Sequence, residues 1–261
     1  MNDFNNYELL FGLSYLLTIF ITYVFQYWRI IKRKNVDGIS NSYLMLGNIC
    51  SLSSLINSLI FYFYVIKECQ SFFSLTCINK MIGFYQISSQ FICFIIFYIL
   101  FIIYYKIADK DNFFKTYKIQ LLFLLNQLLN LLFIGITIGI LSINNWNSYK
   151  YDEIIIYARV MGYISMIFVL LQYLPQIYKL YKTQSHGSLS PITLIFLALG
   201  NFISFLYLIL EGVSDYTTWL SYLMCFICIC IVLIQIFIYK YCSNKHLYIN
   251  VDDDLEYQSI N

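Results

Sequence analysis

"LPQIYKLYKTQSHGSLS" at residues 174–190 runs in step with "VFQYWRIIKRKNVDGIS" at residues 24–40. Aligned without a gap, Gln26 falls on Gln176, Arg29 on Lys179, Lys32 on Lys182 and Ser40 on Ser190. Each stretch closes one long apolar run and leads through a basic loop into another. In the runs that follow, "LGNICS" at 46–51 is matched by "LGNFIS" at 199–204, after one gap of three residues. Leu-Gly-Asn-x-x-Ser recurring at the same stage of two runs marks two copies of one unit.

Composition sets the solvent in which those copies fold. Sixty per cent of the residues are apolar, 20% are aromatic and only 11% are charged, too little charge to cover a water-soluble domain of this length. Seven apolar segments approach or exceed the roughly 20 residues that cross a bilayer as helix, at about 8–31, 43–66, 81–105, 118–143, 155–178, 191–211 and 218–240. They lack the ten-residue alternation of a membrane β-barrel. The sequence therefore predicts an all-α membrane protein with seven transmembrane helices.

The copies occupy segments 1–3 and 5–7, and segment 4 stands alone. Two three-helix units joined directly would point in opposite directions. One intervening helix restores the second to the orientation of the first, giving a 3+1+3 plan of parallel repeats. The expected divisions are a first repeat at 1–105, a linker helix with its loops at 106–154, a second repeat at 155–241 and a tail at 242–261.

Lysine and arginine set the orientation. Arg29, Lys32, Arg33, Lys34, Lys106, Lys110, Lys115, Lys118, Lys179, Lys182, Lys240 and Lys245 fall on one side, twelve of the sixteen basic residues. That side reads as cytosol, with the N-terminus lumenal and the C-terminus cytosolic. The first segment lacks a basic leader and reads as a span rather than a signal peptide. No Asn-x-Ser/Thr sequon is present. Cys69 and Cys77 fall in the lumenal loop after segment 2, where either a disulfide or two free thiols can persist. Cys225, Cys228 and Cys230 lie mid-membrane with no histidine or carboxylate beside them, and read as packing residues rather than metal ligands.

Pro175-Gln176, the basic loop, Gly187-Ser188-Leu189-Ser190-Pro191 and Leu199-Gly200-Asn201 together resemble the PQ-loop repeat. That family includes cystinosin and the lysosomal or vacuolar cationic amino-acid exporters, and is related to the SWEET sugar facilitators. In the first copy Phe25-Gln26 stands for Pro-Gln, and Asn41 for Pro191. The resemblance implies a transporter that moves a small polar solute, an amino acid of cationic or cystine-like type, from lysosome or vacuole to cytosol by alternating access. Two other readings are a non-transporting heptahelical receptor or scaffold and a SWEET-like sugar facilitator.

Pro175 cannot donate to the carbonyl four residues back, and its ring disturbs the preceding turn. It is read as a hinge, with Gln26 and Gln176 forming a gate near the cytosolic ends of segments 1 and 5. Pro191 after Ser190 is a helix start, with Ser as N-cap. Polar residues fall on stripes that turn inward in lipid. Asn48, Asn201, Gln86, Gln90 and Ser204 are the expected solute-binding residues, and Arg159 lies on the stripe of segment 5. Asn126, Gln127 and Asn130 are read as packing between the halves.

No Asp or Glu lies deep in a segment, and asparagine does not titrate, so the sequence supplies no buried carboxylate for proton coupling. His186 and His246 both fall in cytosolic stretches, and there is no Gly-rich phosphate loop. An enzyme, a metal, a cofactor and a nucleic-acid partner are therefore not expected. Tyr257-Gln258-Ser259-Ile260 fits the Tyr-x-x-hydrophobic signal that clathrin adaptors read as an extended peptide. With Tyr257 and Ile260 as its anchors in an acidic tail, it implies an endosomal or lysosomal address.

Overall fold

The computed structural model describes residues 2–34, 36, 39–71, 75–108, 113–143, 151–183, 191–212 and 215–258. Its elements are α1 (Asn2–Arg33), α2 (Asn41–Phe61), α3 (Phe63–Ser71), α4 (Leu75–Ala108), α5 (Phe113–Ile143), α6 (Tyr151–Thr183), α7 (Pro191–Glu211) and α8 (Tyr216–Gln258). Helices α2, α4, α5, α6 and α8 are long and apolar enough to cross a membrane, and α7 has a shorter apolar stretch at Leu194–Leu210. With α1, whose 32 residues make about 48 Å of helix at 1.5 Å per residue, they account for the seven expected spans.

The added element is α3. The second span stops at Phe61 rather than near residue 66, with buried Tyr62 as a turn between two helices. Hydrogen bonding still passes through the turn, from the Tyr62 N–H to Ser58 O and from the Ile66 N–H to Tyr62 O. A disulfide joins Cys69 of α3 to Cys77 of α4, fastening the short helix to the longer one.

Each unit has the same internal order. In the first, α4 packs against both α1 and α2. In the second, α8 packs against both α6 and α7. The units meet where α2 lies against α6 and where α1 lies against α7, two seams that parallel repeats make equivalent. The six helices thus form a closed ring in the order α1, α4, α2, α6, α8, α7. Helix α5 lies outside it, chiefly against α2 and α4, and also reaches the second unit, where Thr137 Oγ1 lies 2.9 Å from the Tyr157 hydroxyl of α6.

Apolar packing divides along the membrane normal. Toward the end that carries the basic loops, one buried cluster is built on Ile30, Val36, Leu44, Tyr98 and Phe101 of the first unit. Another is built on Leu180, Leu194, Ala198, Val232 and Ile236 of the second. Toward the far end the clusters cross between units: Leu52, Ile56 and Ile60 pack with Ile154, Ala158 and Met161, and Ile87 packs with Leu208 and Tyr222.

Local chemistry sets the helix ends. Lys34 takes a left-handed conformation (φ 50°) and its N–H bonds Ile30 O at 2.8 Å, the αL way of closing a helix. Helix α7 begins at Pro191, as the preference of proline for the first helical position leads one to expect; Ser190 lies outside the described residues. Helix α8 runs on to Gln258, so the tail expected to be extended is helical there. Once a helix exists, each added residue costs little. Ile260 lies outside the described residues.

Candidate functional site

The α2–α6 seam carries polar contacts at several levels along its length. The Tyr43 ring meets Tyr173 edge-on at 6.0 Å and 83°, and its hydroxyl reaches toward Tyr173 and Gln172. One turn on, Gly47 lets Gln172 and Phe94 approach the backbone: a Cβ there would lie 2.7 Å from Gln172 Nε2 and 2.5 Å from Phe94 Cζ. At mid-membrane Ser165 Oγ lies 2.9 Å from Ser54 Oγ and 3.4 Å from Cys50 Sγ.

Toward the far end Asn57, fully buried, ties three helices together. Its Nδ2 donates to Ala158 O at 2.8 Å and to Thr217 Oγ1 at 3.0 Å, and its Oδ1 accepts from Thr218 Oγ1 at 2.5 Å. Gly162 makes room for this, because a Cβ there would lie 2.6 Å from Thr217 Cβ.

A second polar cluster lies where α1, α4, α7 and α8 converge. Tyr222 of α8 donates its hydroxyl to Gln90 Oε1 of α4 at 3.0 Å, a bond that crosses between units. The polar neighbours of Tyr222 include Tyr15, Cys50 and Cys225. Tyr15 of α1 lies beside Ser204 of α7, and the edge of its ring would stand 3.5 Å from a Cβ on Gly200. The Ser204 hydroxyl is buried; Tyr15 approaches it, but no described residue completes a hydrogen bond of normal geometry with it. Asn201, one turn from Ser204, uses its Nδ2 on Leu197 O at 2.7 Å. A buried polar atom with no partner is a place where a solute's hydrogen bond can go. The cluster's side chains are hydroxyl, amide and thiol groups. It is built to hold a neutral polar group by hydrogen bonds.

Of the residues expected to bind solute, Ser204 and Gln90 come to this cluster, Asn201 lies one turn from Ser204 on α7, and two others turn elsewhere. Gln86 is buried, but its Nε2 donates to Gly12 O at 3.0 Å and so fastens α4 to α1. Asn48 turns to the linker helix, where its Oδ1 accepts from Asn130 Nδ2 and, at 3.5 Å, from Gln127 Nε2. Asn126 Nδ2 donates to Met45 O at 3.2 Å. These three linker amides therefore hold α5 to α2 of the first unit and are not packing between the halves. The repeat made Asn48 and Asn201 equivalent, but the amides of α5 lie against α2 and so reach Asn48. In lipid a buried amide goes to whichever neighbour can pair with it.

Gln26 is half-buried on α1, and the side chain of Gln176 lies outside the described residues. Pro175 occupies an exposed position within a continuous α6 and not the bundle interior. Arg159 is at the far edge of α6, where Nε bonds Asp215 Oδ2 at 2.7 Å and the guanidinium stacks 5.5 Å from the Tyr216 ring. It thereby stays outside the polar cluster.

Sequence reasoning passed over Tyr15, Tyr43, Tyr173 and Tyr222, which line the contact between units. Among 26 tyrosines a functional one carries no compositional mark. The signal that would have found some of them is position: Tyr173 aligns with Tyr23 in the ungapped repeat register, and Tyr15 with Ser165.

Residues 157–217 match the family model for the PQ loop repeat. The fission-yeast protein C4C5.03 (Schizosaccharomyces pombe), itself uncharacterized, is 25% identical over 238 residues, covering 85% of this chain and 76% of its own. Among solved structures, a eukaryotic SWEET transporter superposes with a TM-score of 0.50 at 18% identity, across 91% of this chain and 97% of that one. The chain is thus an integral membrane protein of the SWEET-type heptahelical fold. It carries a PQ loop repeat in its second unit, as the resemblance of Pro175-Gln176 and its surroundings implied.

Proposed function

We propose that this protein is a transporter that moves a small polar solute between its two units by alternating access. The observation that carries the reading is the Tyr15, Gln90, Ser204 and Tyr222 cluster, a set of uncharged hydrogen-bonding groups from both units, at membrane depth, in which the buried Ser204 hydroxyl has no hydrogen bond of normal geometry among the described residues. Residues 1–105 and 155–241 act as the two units and 106–154 as the linker. Asn201, Ser204 and Gln90 contact the solute. The basic loops face the cytosol, the solute is an amino acid, and the compartment emptied is a lysosome, vacuole or endosome from which the Tyr257 signal recruits clathrin adaptor. Similarity to a SWEET transporter and a PQ loop repeat supports the transport class.

A second reading, a facilitator for a neutral sugar, is favoured by the chemistry of the cluster, whose hydroxyl and amide groups suit neutral hydroxyl-rich solutes. One experiment separates the two. Purified protein in liposomes is offered radiolabelled arginine, cystine and glucose, with and without a pH gradient. Gradient-driven arginine or cystine uptake supports the exporter, and gradient-independent glucose uptake the facilitator. Either flux should fall roughly tenfold in Gln90→Leu and Ser204→Ala, a loss of about 1.4 kcal/mol in transition-state or solute binding. Protein that moves none of these or other small polar solutes would sink the transporter reading.

Pro175→Ala supplies the backbone donor that α6 lacks at that turn. If Pro175 is a hinge, solute binding persists while turnover drops, because the favoured end-state becomes harder to leave. Flux equal to wild type at matched protein density would make Pro175 a fixed feature of α6.

A further inference from the structure

The two seams that the repeat makes equivalent are built differently, and we infer that they do different work: α2–α6 is the pivot between the units and α1–α7 is the gate. This rests on the transporter reading only for what passes through the gate. The asymmetry itself is visible in four places.

First, α2 and α6 are joined from end to end. Contacts run from Tyr43 with Tyr173 near the basic end, through Gly47 with Gln172 and Ser54 with Ser165, to Asn57 with Ala158 at the far end. Helices α1 and α7 meet over a much shorter length, centred on Tyr15 with Gly200 and Ser204. Second, the equivalent glycines differ in the room around them. A Cβ on Gly47 would sit 2.5 Å and 2.7 Å from its nearest neighbours, whereas one on Gly200 would sit 3.5 Å from the Tyr15 ring, an ordinary contact. One seam is compressed to the backbone and the other has a methyl's width to spare.

Third, the basic-end halves of the gate helices belong to different clusters. Ile30 of α1 belongs to the first-unit cluster, and Leu194 and Ala198 of α7 to the second-unit cluster. Nothing in either cluster ties these two helix halves to each other. Fourth, toward the far end buried residues of both units share clusters, whereas toward the basic end the first-unit residues packed on the second-unit cluster, Tyr43 and Cys50, both come from α2. The buried clusters therefore close the units at the far end and along α2–α6, and none of them spans α1 and α7 at the basic end. Closing the basic end requires α1 and α7 to swing together there and Tyr15 to leave Ser204 at the far side, while α2–α6 stays packed. Interfaces of packed side chains hold two discrete arrangements rather than stretching continuously, and here only α1–α7 has the slack to adopt a second.

Two spin-label distances in liposomes test this. One pair sits on exposed positions near the basic end of α1 and α7 (Ile31→Cys with Phe196→Cys). The other sits on α2 and α6 (Ser42→Cys with Tyr178→Cys). Both are made in a background with the free cysteines replaced. The α1–α7 pair should give two resolved distances whose weights shift with solute, and the α2–α6 pair one unchanged distance. A further variant keeps Cys50 and carries Ser165→Cys; oxidised to a cross-link over the present 3.4 Å contact, it should leave both α1–α7 distances in place. Two distances across α2–α6, a single distance across α1–α7, or loss of the second α1–α7 distance on cross-linking would each overturn the assignment. Failure of the transporter reading looks different: no solute moves or shifts the weights, yet the α1–α7 pair still gives two distances and the α2–α6 pair one.

Discussion

Gly47→Ala should lower the yield of folded protein and its melting temperature sharply, while Gly200→Ala leaves both near wild type. The two substitutions are chemically identical and fall at equivalent points of the repeat, so intrinsic helix preference cannot separate them. It favours alanine by roughly 0.5–1 kcal/mol at both. Space separates them. At 47 the new methyl would overlap the ring end of Phe94 and the amide of Gln172. Phe94 is itself buried and packed edge-on against Phe97 at 6.1 Å, and Gln172 is 6% exposed, so neither has open space to move into. Overpacking of this kind costs about 1–3 kcal/mol. At 200 the methyl makes an ordinary contact with Tyr15. Melting followed by fluorescence-detected size exclusion in detergent reads the difference. Equal melting temperatures would mean the α2–α6 seam relaxes freely and is not compressed.

Asn57→Leu should be the most damaging polar substitution in the membrane, with a loss of about 2 kcal/mol or more. Hydrogen bonds between transmembrane helices average only about 0.6 kcal/mol each, so a single lost bond would barely register. Asn57 makes three, to α6 and to two threonines of α8, and its loss leaves the buried hydroxyls of Thr217 and Thr218 without this partner. An unsatisfied buried group costs about 1–3 kcal/mol. The comparison is Asn126→Leu, which removes a 3.2 Å bond to Met45 O and a 3.5 Å bond from Gln127 Nε2 and should cost about 0.5 kcal/mol. Unfolding in mixed micelles with increasing SDS measures both. Similar midpoints for the two variants would show that Asn57 is no more than another packing amide.

These cases mark where sequence reading stops. The spans, the linker and the pairing of the units as parallel repeats follow from the length of the apolar runs and the recurrence of Leu-Gly-Asn-x-x-Ser, since both signals lie within short windows. The direction in which a polar residue faces depends on helices far along the chain. Asn57 finds Thr217 and Thr218, some 160 residues away, and no local pattern announces that. Asn48 looked like Asn201 because the repeat is real. The repeat is silent about α5, which gives Asn48 amide partners on a side of the first unit that has no counterpart in the second. Pro175 illustrates the opposite difficulty. Its chemistry was legible, but with Gln172 and Tyr173 turned inward, Pro175 falls on the other side of α6.

The docking of α5 on the first unit also bears on how the chain is made. A membrane protein enters the bilayer from its N-terminus, and for a time α1 to α5 have no second unit to pack against. Asn48 then already has Gln127 and Asn130 of α5 beside it, and Gln86 already has the Gly12 carbonyl. Ser54 and Asn57, on the face of α2 that awaits α6, have to wait for Ser165 and Ala158. An amide without a partner in lipid seeks one, so the newly inserted first half is left with an adhesive stripe on α2. The next helix to be synthesised, α6, is the one that stripe fits, which sets the order of assembly: the pivot forms as soon as α6 enters, and the gate cannot form until α7 follows.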